Sequence, residues 1–348
     1  MGRAYRRQGN YQGALSYYEQ ALSIRREVGD RNGEGVTLNN IGVVYLVQGD
    51  HESALSYYKQ ALSIRRELGN RNGEGTTLDN IGTLYRLQGN YKDALSYYEQ
   101  ALTIYRKVKD RYGEGNTLNN IGLVYKSQGN YQRALFYYEQ ALVIVQKVEN
   151  YSVEVNIINN IGFVYNVRGD YQSALSYHER ALAIHKKVGN RVGQGKSLNN
   201  IGLVYSNRGD YQSALSYYEE ALTIHRELVN PREEGNTVNN IGFVYSSQGD
   251  YKTALSYYEQ ALTINRELRD RSGERTTLNN IGSVYRSQGD YKSALSYYEQ
   301  ALTINRELVD RASEGTILNI PSPPPPRFKC YPPPATCEKK FLPTTRTP

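Results

Sequence analysis

Apolar and polar positions follow two interleaved patterns that return every forty residues. In residues 111–130, RYGEGNTLNNIGLVYKSQGN, the positions Leu118, Ile121, Gly122 and Tyr125 fall at i, i+3, i+4 and i+7. That spacing marks one face of an amphipathic helix. In residues 131–150, YQRALFYYEQALVIVQKVEN, the positions Ala134, Leu135, Tyr138, Ala141 and Leu142 do the same. Between the two halves Gly129 tolerates a positive φ and Asn130 caps the second helix. A capping residue also stands at each repeat junction, among them Asp30, Asn70, Asp110, Asn150, Asn190, Asn230 and Asp270. Pro231 comes directly after Asn230, where proline is favoured as the first helical residue. The pattern predicts helix A over about 31–48 and helix B over about 51–68, with copies every forty residues. Gly33 and Gly35 weaken the first turn of helix A and predict fraying there.

The period outweighs the length of 348 residues as a guide to organisation, because repeats of about twenty to fifty residues build elongated arrays without a single central core. The division expected is a partial first repeat over 1–30, seven forty-residue units over 31–310, and a broken start of an eighth over 311–320. A Pro-rich, disordered tail is expected over 321–348. Two readings of that end stand side by side: a fragment of a longer array with an unrelated terminus, and a native tail that binds partners. The last helix B carries an apolar face with Ala294, Leu295, Tyr298 and Leu302, and only the broken helix to cover it. Fraying or end-to-end self-association is expected there.

With these residues in view, the chain resembles the tetratricopeptide repeat family. Leu38, Ile41, Gly42, Tyr45, Ala54, Tyr58 and Ala61 match that family's order of small and large residues, and the match extends over about residues 1–320. The family's usual proline at the end of helix B is replaced by residues such as Arg66, and the period is longer than the usual thirty-four. Longer helices of this kind look like those of kinesin light chain, of spindle-orientation scaffolds and of bacterial arrays linked to CHAT domains. The resemblance implies an all-α, right-handed superhelical solenoid of antiparallel helix pairs, with the A helices lining a concave groove.

At 100° per residue from Leu38, Asn40 lies at about 200°, Val36 at about 160°, Val43 at about 140° and Val47 at about 180°, away from helix B. On the groove that the resemblance implies, Asn40, Asn80, Asn120, Asn160, Asn200, Asn240 and Asn280 form a ladder. A carboxamide both donates and accepts, which suits the backbone of an extended peptide. The same residues would equally serve by bonding to neighbouring helices and steadying the stack. Asn39 and its equivalents, Asp79 in one copy, point to about 100°, toward the groove or the next repeat. Between the rungs the chain is apolar only in the middle, at Leu123, Phe163, Leu203 and Phe243, with Thr83 before and Ser283 after. Side chains there either anchor a ligand or fold against a neighbouring A helix.

Composition narrows the function further. The net charge is +7; five basic residues against one acidic after Pro321 contribute +4 of it, leaving +3 for the array. A near-neutral array does not fit nucleic acid. Both cysteines, Cys330 and Cys337, lie in the tail, so the repeats hold no disulfide framework or cysteine zinc site and suit a reducing, cytoplasmic setting. No apolar run is long enough for a bilayer, the start lacks a signal-peptide h-region, and Arg6 occupies the Ser/Thr position of a myristoylation motif. His51, His178, His185 and His225 are expected at the surface, without a metal. No phosphate-binding loop or nucleophile elbow is present. The reading is therefore a non-enzymatic scaffold without cofactor that binds a protein or peptide, with no nucleic acid and no membrane. The alternative is the sensor or adaptor arm of a larger signalling enzyme, such as a CHAT-type protease.

Overall fold

The computed structural model describes residues 2–7 and 9–307. The expected broken helix at 311–320 and the Pro-rich tail lie outside the described residues. The helices begin with α1 (Gly2–Arg7), α2 (Tyr11–Glu27), α3 (Arg31–Gln48), α4 (His51–Glu67), α5 (Arg71–Leu87) and α6 (Tyr91–Val108). Next come α7 (Arg111–Ser127), α8 (Tyr131–Lys147), α9 (Tyr151–Val167), α10 (Tyr171–Lys187) and α11 (Arg191–Arg208). The order closes with α12 (Tyr211–Glu227), α13 (Pro231–Ser247), α14 (Tyr251–Glu267), α15 (Arg271–Ser287) and α16 (Tyr291–Glu307). The described residues contain no strand. The fold is an all-α solenoid of helix pairs, and packing divides it into residues 1–257 and residues 258–348.

In the first unit each A helix packs on its own B helix, α3 on α4 and so on to α11 on α12, and each B helix packs on the next A helix. In the second unit α15 packs on α16. The N-terminal caps are the predicted ones: the Asp30 carboxylate accepts from the Gly33 amide at 2.8 Å, and Asn190 accepts from Gly193 at 2.9 Å. Pro231 opens α13. Gly49 and Gly209 close their helices at φ of 82° and 87°.

The core follows the apolar face. Leu38, Ile41 and Val44 cluster with Ala61 of their repeat and with Leu15 and Tyr18 of the helix before, while Ala54 and Tyr58 cluster with Leu78 and Ile81 of the next repeat. Gly122 has a physical reason: a Cβ there would lie 2.5 Å from the Tyr138 ring. The first turn of helix A, expected to fray, is instead tied down by the glutamate of its Gly-Glu-Gly run. Glu34 is buried and accepts from Arg26 at 2.8 Å and Arg31 at 2.6 Å. Burial alone would raise its carboxyl, and the two guanidinium groups outweigh that, holding it below the ordinary range. Glu74 and Glu114 repeat the arrangement.

Two histidines correct the expectation of surface positions. His178 occupies the core position held by tyrosine in neighbouring repeats, and His225 is fully enclosed under Gly195. Both are explained by position in the repeat: each takes a site that faces inward whichever residue fills it. Burial lowers the His178 imidazole to about 4.

Candidate binding groove

The stripe of helix A that faces away from helix B is open, as the 100° wheel predicts. Val36, Asn40 and Val43 are half-buried and Val47 is exposed. The equivalent positions in later repeats give the stripe its chemistry.

Most of the rung asparagines are tied sideways. The side-chain amide of Asn80 donates to the Asn39 oxygen at 3.0 Å, that of Asn160 to Asn119 at 3.0 Å, that of Asn200 to Asn159 at 3.4 Å, and that of Asn240 to Asn199 at 3.2 Å. The two adjacent asparagines thus face different neighbours: the first accepts from the following repeat and the second donates to the preceding one. Each half-buried second asparagine keeps its own oxygen and one N–H outside this bond. Among the described residues Asn40 and Asn120 make no such pair, and Asn280 lies half-buried in the second unit.

Asn120 stands apart because its neighbour is Asp79. That carboxylate accepts the Thr117 hydroxyl at 2.9 and 3.1 Å. It borders a cavity of about 230 Å³ together with Asn80, Tyr105, Asn116 and Asn120. Burial raises the Asp79 carboxyl to about 7, against the lowering effect of hydrogen bonds from Thr117 and Tyr105.

The apolar rungs are where the sequence pattern puts them. Phe163 and Phe243 are 42% and 45% exposed, with half-buried Leu203 between them and half-buried Leu123 one repeat before. The polar residue at the flank has an internal partner: the Thr83 hydroxyl lies 3.0 Å from the Tyr98 hydroxyl. In the second unit Ser283 meets Tyr298 in the same way at 3.2 Å. Where this position is Val43 or Leu123, the buried hydroxyls of Tyr58 and Tyr138 have no partner among the described residues. Beside Phe163 the Lys126 ammonium sits 4.9 Å from the ring centre.

A second aromatic feature escapes the sequence reading. The last-turn tyrosine of helix A stacks on the first tyrosine of the Tyr-Tyr pair in helix B, as with Tyr85 and Tyr97 at 5.4 Å and 11°. Its signal was the constant twelve-residue separation of these tyrosines. The buried Gly-Glu-Gly glutamate was equally constant and equally unread.

A sequence model of the tetratricopeptide repeat matches residues 1–67, 69–147, 154–227 and 233–307. The chain is a tetratricopeptide repeat protein. No curated protein sequence matches this tetratricopeptide repeat protein. Solved structures share its fold. The apo form of RapI is 17% identical, with a TM-score of 0.64 over 79% of this chain and 99% of that one. A STAND protein with a tetratricopeptide repeat sensor, PH0952 from Pyrococcus horikoshii, is 17% identical, with a TM-score of 0.64 over 89% of this chain and 46% of that one. A Rap protein complexed with competence and sporulation factor is 16% identical, with a TM-score of 0.59 over 89% and 95%. Among the described residues of the repeat protein, no helix is long and apolar enough to cross a membrane.

Proposed function

We propose that this tetratricopeptide repeat protein is a non-catalytic scaffold that holds an extended peptide or partner segment against the open stripe of its A helices. The observation that carries the reading is the exposure of Phe163 and Phe243 on that stripe. Large aromatic side chains left in water tend to become the anchors of an interface, worth roughly 2 kcal/mol or more each. The spare oxygen and N–H of Asn80, Asn160, Asn200 and Asn240 suit the backbone of a strand laid across successive helices. Leu123 and Leu203 extend the apolar floor, and Asn40 and Asn120 continue the polar edge. The likeness to a Rap protein complexed with competence and sporulation factor is consistent with this reading.

The test is a double substitution, Phe163→Ser with Phe243→Ser. It should weaken a captured polypeptide at least about tenfold, whereas Phe136→Ser, exposed on a B helix and off the stripe, should do little. Equal effects at the two places would remove the localisation.

A second reading has one observation in its favour. The likeness to PH0952 covers less than half of that chain, whose array is a sensor. Under this reading the repeat protein is the sensing arm of a larger signalling enzyme, of CHAT or similar type. Sequence of the genomic region flanking the reading frame decides between the two.

A further inference from the structure

The sideways bond between asparagines links α3 to α5, α7 to α9, α9 to α11 and α11 to α13. Between α5 and α7 Asp79 replaces the accepting asparagine, and among the described residues Asn120 makes no such bond. The cavity of about 230 Å³ opens at this junction, bordered by Asp79 from α5 and Asn120 from α7. Two more of the residues around it are peculiar to this repeat. Tyr105 takes a position held by Arg25, Arg65, Val145, His185 and His225 elsewhere in the first unit. Tyr112 takes one held by Asn32, Asn72, Ser152, Val192 and Arg232. Three departures from the repeat pattern thus meet at one cavity, and the other repeats stack without them.

The charge around this cavity is of one sign. Asp110 borders it as well as Asp79, with one oxygen accepting from the Gly113 amide at 2.9 Å, and no lysine or arginine lines it. What reaches the Asp79 carboxylate is hydroxyl groups, of Thr117 at 2.9 and 3.1 Å and of Tyr105. A carboxylate desolvated without a cation keeps an unmet cost, and a positive group placed beside it offsets that cost. Aromatic rings next to carboxylates favour ammonium and guanidinium groups, and Tyr105 and Tyr112 supply two. Asn80 and Asn116 add carboxamide oxygens able to accept an N–H. Among the described residues no three acidic or imidazole side chains stand close enough to hold a metal ion, which leaves an organic cation. A volume of about 230 Å³ equals roughly eight waters at about 30 Å³ each, and suits a cation with a similar number of heavy atoms.

We propose that the cavity between α5, α6 and α7 is a binding site for a small organic cation, an ammonium or guanidinium group held by Asp79 with Tyr105 and Tyr112 beside it. A free amine and a basic side chain of a polypeptide both carry that group, and the chemistry at the cavity is the same for each. The site stands on its own geometry and does not need the groove reading. A bound cation also joins α5 to α7, the one junction from α3 to α13 that lacks the asparagine bond.

The test is isothermal titration of the full chain at about pH 8, above the value to which burial raises Asp79. The probes are butylamine and butylguanidine with butanol as their neutral match, and the end-capped peptide Gly-Lys-Gly with Gly-Gln-Gly as its match. At least one cation should bind at least about tenfold more tightly than its match. Stronger binding of a free cation identifies a small-molecule site, and stronger binding of the lysine peptide a subsite for a basic side chain; either supports the cavity. Asp79→Asn restores the residue of the neighbouring repeats and gives Asn120 an acceptor, so it should fold and lose the cation preference. Tyr112→Ser, which changes an exposed side chain, should weaken the cation about threefold and leave its neutral match unchanged. A cation preference that survives in Asp79→Asn, or an affinity unmoved in Tyr112→Ser, overturns the site. Equal binding of cations and neutral matches by the unaltered chain, or binding of none, also overturns it and leaves the groove reading standing.

Discussion

The Asn160 side-chain amide donates to the Asn119 oxygen at 3.0 Å and so ties the A helices of consecutive repeats together. Asn120, at the same position one repeat earlier, has no such acceptor. Alanine is the better helix former at both sites, by roughly 0.5–0.7 kcal/mol, while a lost hydrogen bond costs about 1 kcal/mol. Asn160→Ala should therefore lower the urea midpoint, and Asn120→Ala should raise it or leave it alone. Two equal shifts would show that the sideways bond contributes nothing to the stack.

Asp79 is the one carboxylate in that row of first asparagines within the first unit, and it is held near 7 by burial. A folded value above the unfolded one means that the proton favours the folded chain. Its contribution is present below about 4 and is lost as pH rises through about 7. Asp79→Asn should thus stabilise the protein at pH 8, by at least about 1 kcal/mol, and much less at pH 4. Thermal melts at the two pH values read this directly, and a pH-independent gain would contradict it.

His178 acts in the opposite direction. Its folded value of about 4 lies below the ordinary 6.5, so the unfolded chain takes up the proton first. Stability is full above about 6.5 and is lost as pH falls toward 4, by an amount on the order of 3 kcal/mol. His178→Tyr, which restores the residue of the neighbouring repeats, should flatten the melting temperature between pH 7 and pH 4.5. A variant as acid-sensitive as the parent would show that other groups dominate that window.

Val229 adopts φ of 48° at the end of α12, where Gly29, Gly69 and Gly189 stand in other repeats. A β-branched side chain in the left-handed region costs about 1–2 kcal/mol, and this one is 84% exposed, with little packing to lose. Val229→Gly should raise stability by about 1 kcal/mol, net of the greater chain entropy of glycine. A lower melting temperature for the variant would refute this.

The helices and their ends were legible because the relevant signals are local. A forty-residue period, apolar spacing and an Asx residue at each junction are enough to draw α3 to α15 almost to the residue. The open stripe was legible too, since helical geometry alone defines it. The partner of each polar group on that stripe was not. Asn39 and Asn80 are forty-one residues apart, and only the stacking of two A helices brings them together. The same holds for Thr83 with Tyr98. The buried histidines were misread because residue type was weighed above position in the repeat.

The stacked tyrosines have a consequence for observation. The chain has no tryptophan and 34 tyrosines, and in repeat after repeat one pair lies face to face at ring distances such as 5.3 and 5.5 Å. Each pair bridges the two helices of a single hairpin, so its near-ultraviolet circular dichroism reports whether that hairpin is closed. Replacing one helix A tyrosine at a time by leucine would subtract the signal of one known repeat. The unfolding of the array could then be followed hairpin by hairpin, with no dye attached.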